Sequence, residues 1–203
     1  MTKIMTALLT IENLPDLNET ITVPEDIFEE LTAQDASVAG FNPYEQPTVR
    51  DLLYGVLLPS GADACETLAR AVGGSEEGFV AMMNQKAEEL GLTNTHFENC
   101  TGLHNDNHYS TCRDIAVLMS ECLKSDTFRE IVTREVYTTE ATASHPEGIT
   151  LYDTMLHRFT SYEMSTTLEN GAVIEGGKTG FTDEAGQWPG QLCRIWRRRV
   201  HTC

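Results

Sequence analysis

The sequence predicts a chain of mixed helix and strand, with helices over about the first two-thirds and short strands after Thr133. Three observations carry this reading. Apolar residues recur at three- and four-residue spacing, as one buried face of a helix requires. Capping residues and glycine stops punctuate those runs. Beyond Thr133 the texture changes to short β-branched and aromatic segments between turn residues.

The first helix, Thr2 to Asn13, places Ile4, Met5, Leu8, Leu9 and Ile11 on its apolar side and shows no N-cap, so it is already under way at the first residue. Thr48-Val49-Arg50-Asp51 fits a capping box, in which the hydroxyl and the carboxylate each satisfy the other residue's backbone donor. It starts a helix through Leu58 that Pro59 and Gly61 terminate. Another runs from about Asp63 to Val72 and stops at Gly73-Gly74. Ser75 caps a helix carrying Phe79, Met82, Met83, Ala87 and Leu90, which Gly91 ends. Thr111-Cys112-Arg113-Asp114 opens one more, expected to bury Ile115, Leu118 and Cys122. The β-prone segments are Val136 to Thr139, Ile149 to Tyr152 and Ala172 to Ile174. No repeat, low-complexity tract or linker divides the 203 residues, enough for one domain with a real core or for two small lobes.

The formal net charge of -17 repels a phosphate backbone and excludes nucleic-acid binding through bulk electrostatics. The charge is uneven. From Trp188 to Cys203 there are four arginines (Arg194, Arg197, Arg198, Arg199) and no acid. On composition such a tail reads either as an arm for anionic lipid or nucleic acid, or as an artefact of the gene sequence. The six cysteines form no C-x-x-C, and Cys65, Cys100, Cys112 and Cys122 fall in or beside helical patterns, where a buried free thiol is ordinary. No run approaches the ~18 apolar residues of a membrane span, and the N-terminus shows no export signal. Taken as complete, the chain reads as cytosolic; taken as a fragment, the reading is only that any export signal lay upstream. His104 and His108 have metal-like spacing, but the intervening Asn105-Asp106-Asn107 reads as a loop, and no metal site is expected.

Three short segments carry chemistry. Lys178-Thr179-Gly180 follows a strand and presents a cation, a hydroxyl donor and an uncrowded backbone, a combination suited to a carboxylate ligand. Pro59-Ser60-Gly61-Ala62-Asp63 lies between two helices, where the Ser60 hydroxyl can project into a cleft. Lys3 begins the first helix; in an S-x-x-K motif a serine one helical turn earlier would lie on its face, so the amine could take the hydroxyl proton. That serine would be the residue before Met1.

In order, Met1-Thr2-Lys3-Ile4-Met5-Thr6, the Ser60-Gly61-Ala62-Asp63 turn and Gly176-Gly177-Lys178-Thr179-Gly180-Phe181-Thr182 resemble the three active-site motifs of serine-type D-Ala-D-Ala carboxypeptidases, the low-molecular-mass penicillin-binding proteins. Phe97-x-Asn99-x-x-Gly102-Leu103-His104 and His108-Tyr109-Ser110-Thr111-x-x-Asp114 resemble the family's middle segment, so the likeness covers about residues 1–187. The resemblance implies an α/β fold of the penicillin-binding-protein and β-lactamase kind, a helical lobe packed on an antiparallel sheet. Here that fold would be incomplete, lacking the strands before the first helix and after residue 187. Ala172–Ile174 would then have two unpaired edges.

The same resemblance assigns roles. The upstream serine would attack the carbonyl of the penultimate D-Ala of a peptidoglycan stem peptide and form an acyl-enzyme. Lys3 would be the general base and Ser60 would relay a proton to the leaving amine. Lys178 and Thr179, with Gly180 and a helping Thr182, would hold the substrate carboxylate, and the Phe181 N–H would line the oxyanion hole. No cofactor or metal is implied. The partners would be D-Ala-D-Ala stem peptides, with β-lactam antibiotics as inhibitors of the full-length enzyme, on the outer face of the cytoplasmic membrane or in the cell wall. Two features depart from the pattern: Ala62 replaces the asparagine that usually ends the second motif, and the nucleophile is missing, so the chain as given would not acylate. A serine β-lactamase is the alternative enzyme, disfavoured because no E-x-x-x-N motif is seen; a non-catalytic binding module is the alternative of another class. Residues 188–203 are read as an out-of-frame tail: permitted codons for Trp188 to Arg199, shifted by one base, yield a strand-like string containing Ser-Phe-Ala-Glu.

Overall fold

The computed structural model describes residues 2–167, 171, 173–182, 186–194 and 201–202, with side chains as far as Gly180. In chain order the elements are α1 (Thr2–Asn13), α2 (Ile27–Ala33), α3 (Val49–Leu57), α4 (Ala62–Gly73), α5 (Glu76–Glu89), α6 (Cys112–Cys122), α7 (Asp126–Val132), β1 (Val136–Thr138), β2 (Thr150–Tyr152), α8 (Leu156–Ser161), β3 (Val173–Thr182), β4 (Gly186–Arg194) and β5 (His201–Thr202).

The helical lobe is organised around α1, which is buried from Ile4 to Thr10 without a break. A helix buried on nearly every side is stable only inside a bundle, and α3, α4, α5, α6 and α7 all pack against it. Its buried hydroxyls are satisfied internally: Thr6 donates to the Cys100 carbonyl at 2.7 Å and Thr10 to the Thr6 carbonyl at 2.8 Å.

The capping box at α3 forms as expected, with the Asp51 N–H donating to Thr48 Oγ1 and the Thr48 N–H to Asp51 Oδ2, both at 3.1 Å. Asp51 Oδ1 also accepts from the Tyr137 hydroxyl at 2.9 Å, and Tyr137 stacks on Tyr54 at 3.6 Å, so one carboxylate starts α3 and fastens β1 to it. Gly74 closes α4 in the left-handed conformation, and Ser75 caps α5. In α6, Leu118 and Cys122 are buried as expected, whereas Ile115 is only half-buried and Met119, which the sequence pattern did not single out, is buried instead. The seven-residue α2 and α7 and the six-residue α8 were not anticipated, because a helix of two turns or less shows too little apolar periodicity.

β1 and β2 form an antiparallel pair, Val136 opposite Tyr152. β3, β4 and β5 form a second antiparallel sheet in that order. The expectation that Ala172–Ile174 would have two unpaired edges is corrected: β3 begins at Val173, with Ala172 outside the described residues, and β4 pairs along it from Val173–Arg194 to Thr182–Gly186. A single bridge from Thr167 to Val173 sits outside the named strands. A register shift falls between Ile174 and Gly176, where β3 meets the end of α7; a Cβ on Gly176 would lie 2.0 Å from the Val132 carbonyl oxygen. Only a glycine permits that approach, and it brings the following Lys178 inward.

Candidate active site

The turn between α3 and α4 carries Ser60 in the left-handed region, at φ +69. For a residue with a Cβ this conformation costs roughly 1–2 kcal/mol, so the surroundings must impose it. They do so with backbone bonds from Gly61 to the Gly55 carbonyl at 2.9 Å and from Ala62 to the Ser37 carbonyl at 2.7 Å. Asp63 completes the clamp. Its fully buried carboxylate accepts the N–H groups of Ala39, Gly40 and Phe41 at 2.7, 2.9 and 3.1 Å, and that of Ala64 at 2.9 Å. With four backbone donors satisfied, Asp63 holds the 39–41 loop and does not replace the asparagine amide missing at Ala62, which is itself buried.

Opposite this turn stands β3. Lys178, 1% exposed, donates from Nζ to Ser60 Oγ at 2.7 Å and to the Thr179 carbonyl at 3.0 Å. Burial and then the nearby Lys3 charge lower its pKa from an ordinary 10.5 to about 7, with Asp153 opposing both. Asp153 is buried as well, and burial raises its carboxyl to about 6 against two backbone donors, Leu156 at 2.6 Å and Met155 at 2.9 Å, and against Lys178. Beside it the Thr154 and Thr179 hydroxyls lie 2.7 Å apart. Gly180, Phe181 and Thr182 continue β3 opposite Trp188, Gln187 and Gly186; the side chains of Phe181 and Thr182 lie outside the described set.

Lys3, half-buried at the start of α1, donates from Nζ to the Thr101 carbonyl at 2.5 Å. Asn99 builds that turn, accepting the Gly102 N–H at 2.6 Å and donating to the Leu103 carbonyl at 2.9 Å. The charge of Lys3 reaches both Lys178 and the buried Cys65, whose thiol burial pushes up to about 12. Next to Lys3, Thr2 meets His108 Nε2 at 2.7 Å, while the Glu98 N–H donates to His108 Nδ1 at 3.2 Å. Since Nδ1 accepts, Nε2 carries the hydrogen and donates to Thr2. Burial lowers the His108 pKa to about 4, which keeps the ring neutral.

Of the residues expected from sequence, Lys178 touches Ser60, Thr179 lies beside them and Lys3 acts on Lys178 through its charge. Sequence reasoning missed Asp153 and Thr154, although Asp-Thr at the end of a β-prone run is a turn-forming pair that could have flagged them. It also gave no role to Asn99, which positions the partner of Lys3. His104 and His108 serve different neighbours: His104 faces Asp106 at 3.4 Å and His108 faces Thr2. Among the described residues, Glu66, Glu76 and Cys100 bring potential metal ligands within 4.8 Å of one another. Burial and the charge of Glu76 raise Glu66 to about 7, and the Cys100 thiol donates to it at 3.2 Å. Among the described residues no helix is long and apolar enough to cross a membrane.

A helical lobe on an antiparallel sheet, with a lysine and a serine meeting between them, is the penicillin-binding-protein architecture. The chain is similar to the solved Streptomyces K15 DD-transpeptidase, with a TM-score of 0.84 and 32% identity over 99% of this chain and 77% of that one. It is also similar to penicillin binding protein 6B from Escherichia coli, with a TM-score of 0.78 and 26% identity over 99% and 62%. The D-alanyl-D-alanine carboxypeptidase family model matches residues 1–188, and the chain belongs to that family. Similar curated proteins are D-alanyl-D-alanine carboxypeptidase DacF of Bacillus subtilis, 35% identical over 91% of this chain, and the D-alanyl-D-alanine carboxypeptidase of Streptomyces sp. strain K15, 36% identical over 91%. The chain spans 44% and 63% of their respective lengths.

The depressed pKa of Lys178 carries a stability consequence. Below about pH 7 folded and unfolded chains both hold its proton, and burial of the charge destabilises in full. Between about 7 and 10.5 only the unfolded chain holds it, so stability rises with pH by up to about 1.4 kcal/mol per unit from this group. Urea unfolding should therefore find Lys178→Met more stable than the parent at pH 6, with the difference shrinking by pH 10. A difference independent of pH would mean that Lys178 titrates normally.

Proposed function

We propose that the protein is a serine-type D-Ala-D-Ala carboxypeptidase acting on peptidoglycan stem peptides through an acyl-enzyme. The observation that carries this reading is the 2.7 Å contact between Lys178 Nζ and Ser60 Oγ, with the Thr179 hydroxyl alongside. It puts a cation, two hydroxyls and the β3 backbone in one place, where a peptide terminus could be held by its carboxylate. The nucleophile in this reading is the serine hydroxyl that an S-x-x-K motif sets three residues before Lys3, a position upstream of Met1. That hydroxyl passes its proton to Lys3 and bonds to the carbonyl carbon of the penultimate D-Ala. The C–N bond then breaks as Ser60 relays the proton from Lys3 to the departing amine, and water hydrolyses the ester, giving the free acid and restoring the serine hydroxyl. The Phe181 N–H, with that of the serine, stabilises the oxyanion, and Thr182 assists Lys178 and Thr179. Such a substrate places the enzyme at the outer face of the cytoplasmic membrane or in the cell wall, with β-lactams as acylating inhibitors.

Fluorescent-penicillin labelling tests this directly. Protein made from the complete upstream reading frame should form a stable adduct; Lys3→Ala should abolish it and Ser60→Ala should slow it by at least about tenfold. The 203-residue chain should not label. An adduct on the 203-residue chain, or undiminished labelling of Lys3→Ala, contradicts the mechanism, and rapid turnover of the adduct points instead to a β-lactamase.

We also propose that residues 1–187 are a partial catalytic domain and 188–203 an out-of-frame tail. The abrupt change from acidic to arginine-rich composition supports this. If the DNA for Trp188 to Arg199 does not encode a Ser-Phe-Ala-Glu-like strand in the neighbouring frame, the tail is native.

A further inference from the structure

The Thr154 backbone is fixed on three sides. Its own N–H donates to the Leu58 carbonyl at 3.3 Å, two residues before Ser60. The preceding Asp153 is anchored through its N–H to the Glu135 carbonyl at 2.8 Å, and its carboxylate holds the start of α8 through Met155 and Leu156. The following Met155 packs on Ile174 of β3. From this anchored point the Thr154 hydroxyl reaches Thr179 Oγ1 at 2.7 Å. One residue therefore contacts both walls of the cleft, the serine turn by its backbone and β3 by its side chain.

We propose that Thr154 is a positioning residue of the carboxylate subsite, its hydroxyl donating to Thr179 Oγ1 so that the Thr179 hydrogen is turned to the ligand anion. Each hydroxyl has one hydrogen. If Thr179 gave its hydrogen to Thr154, only lone pairs would face the carboxylate, and like would meet like. With Thr154 as donor, the bonds run in one direction from Thr154 to Thr179 to the anion, each polarising the next. Both side chains are β-branched and stiff about χ1, so the pair loses little rotamer freedom when the ligand binds. The inference rests on the reading of Lys178 and Thr179 as the carboxylate subsite.

The test uses the full-length protein and two peptides, one ending in a D-Ala-D-Ala carboxylate and one in its C-terminal carboxamide. Thr154→Val should lower kcat/KM for the carboxylate peptide by about tenfold, mostly through KM, the loss expected when one hydrogen bond to an anion subsite is disordered. The carboxamide peptide should be nearly unaffected, and Thr154→Ser, which keeps the hydroxyl, should restore the preference. If Thr154→Val does not fold, as judged by thermal melting, Thr154→Ala carries the same expectation. An equal loss for both peptides, or no rescue by serine, means that Thr154 only supports the fold, and the proposal fails while the subsite reading stands. Thr179→Val separates the two ideas: if it leaves the carboxylate preference intact, the subsite reading fails and this inference falls with it.

Discussion

A lysine amine held out of water between two lobes is the constraint on which the rest of the site depends. Lys178 is too buried to be solvated, so in its charged form its three N–H donors must find protein or ligand acceptors. Ser60 Oγ and the Thr179 carbonyl supply two. Everything that fixes Ser60 serves that contact, including its left-handed φ, the close-packed Gly61 and the Asp63 carboxylate that gathers four backbone donors. On the other wall, Gly176 lets β3 approach the end of α7 and so sets the depth at which Lys178 enters.

The electrostatics are local and run against the chain as a whole. In a protein of formal net charge -17, two lysines converge while Asp153 offsets only part of their charge. Lys3 and burial both work against the charged form of Lys178. In the proposed function an incoming carboxylate would relieve both effects and supply an acceptor.

Local signals were the legible ones. The capping box at Thr48–Asp51, the Ser75 cap and the Gly73-Gly74 stop lie within a few residues of what they control, and the structure reproduces them. Lys178 and Ser60 are 118 residues apart, and their meeting could be expected only through resemblance to a family. Asp153-Thr154 is one of two Asp-Thr pairs in the sequence, and what sets it apart is that the fold brings β3 and the serine turn beside it. β4 escaped notice because Gly186–Arg194 contains Pro189 and Gly190 and shows no alternation, yet its backbone pairs along β3.

Nitrogen-15 NMR of the lysine Nζ groups, with the Lys178 signal assigned by its loss in Lys178→Met, tests the account most directly. The account predicts a titration midpoint of about 7 for Lys178, moving upward when a peptide ending in D-Ala-D-Ala is added, because a bound carboxylate favours the ammonium form. A midpoint near 10.5, or one that the peptide leaves unmoved, would contradict it.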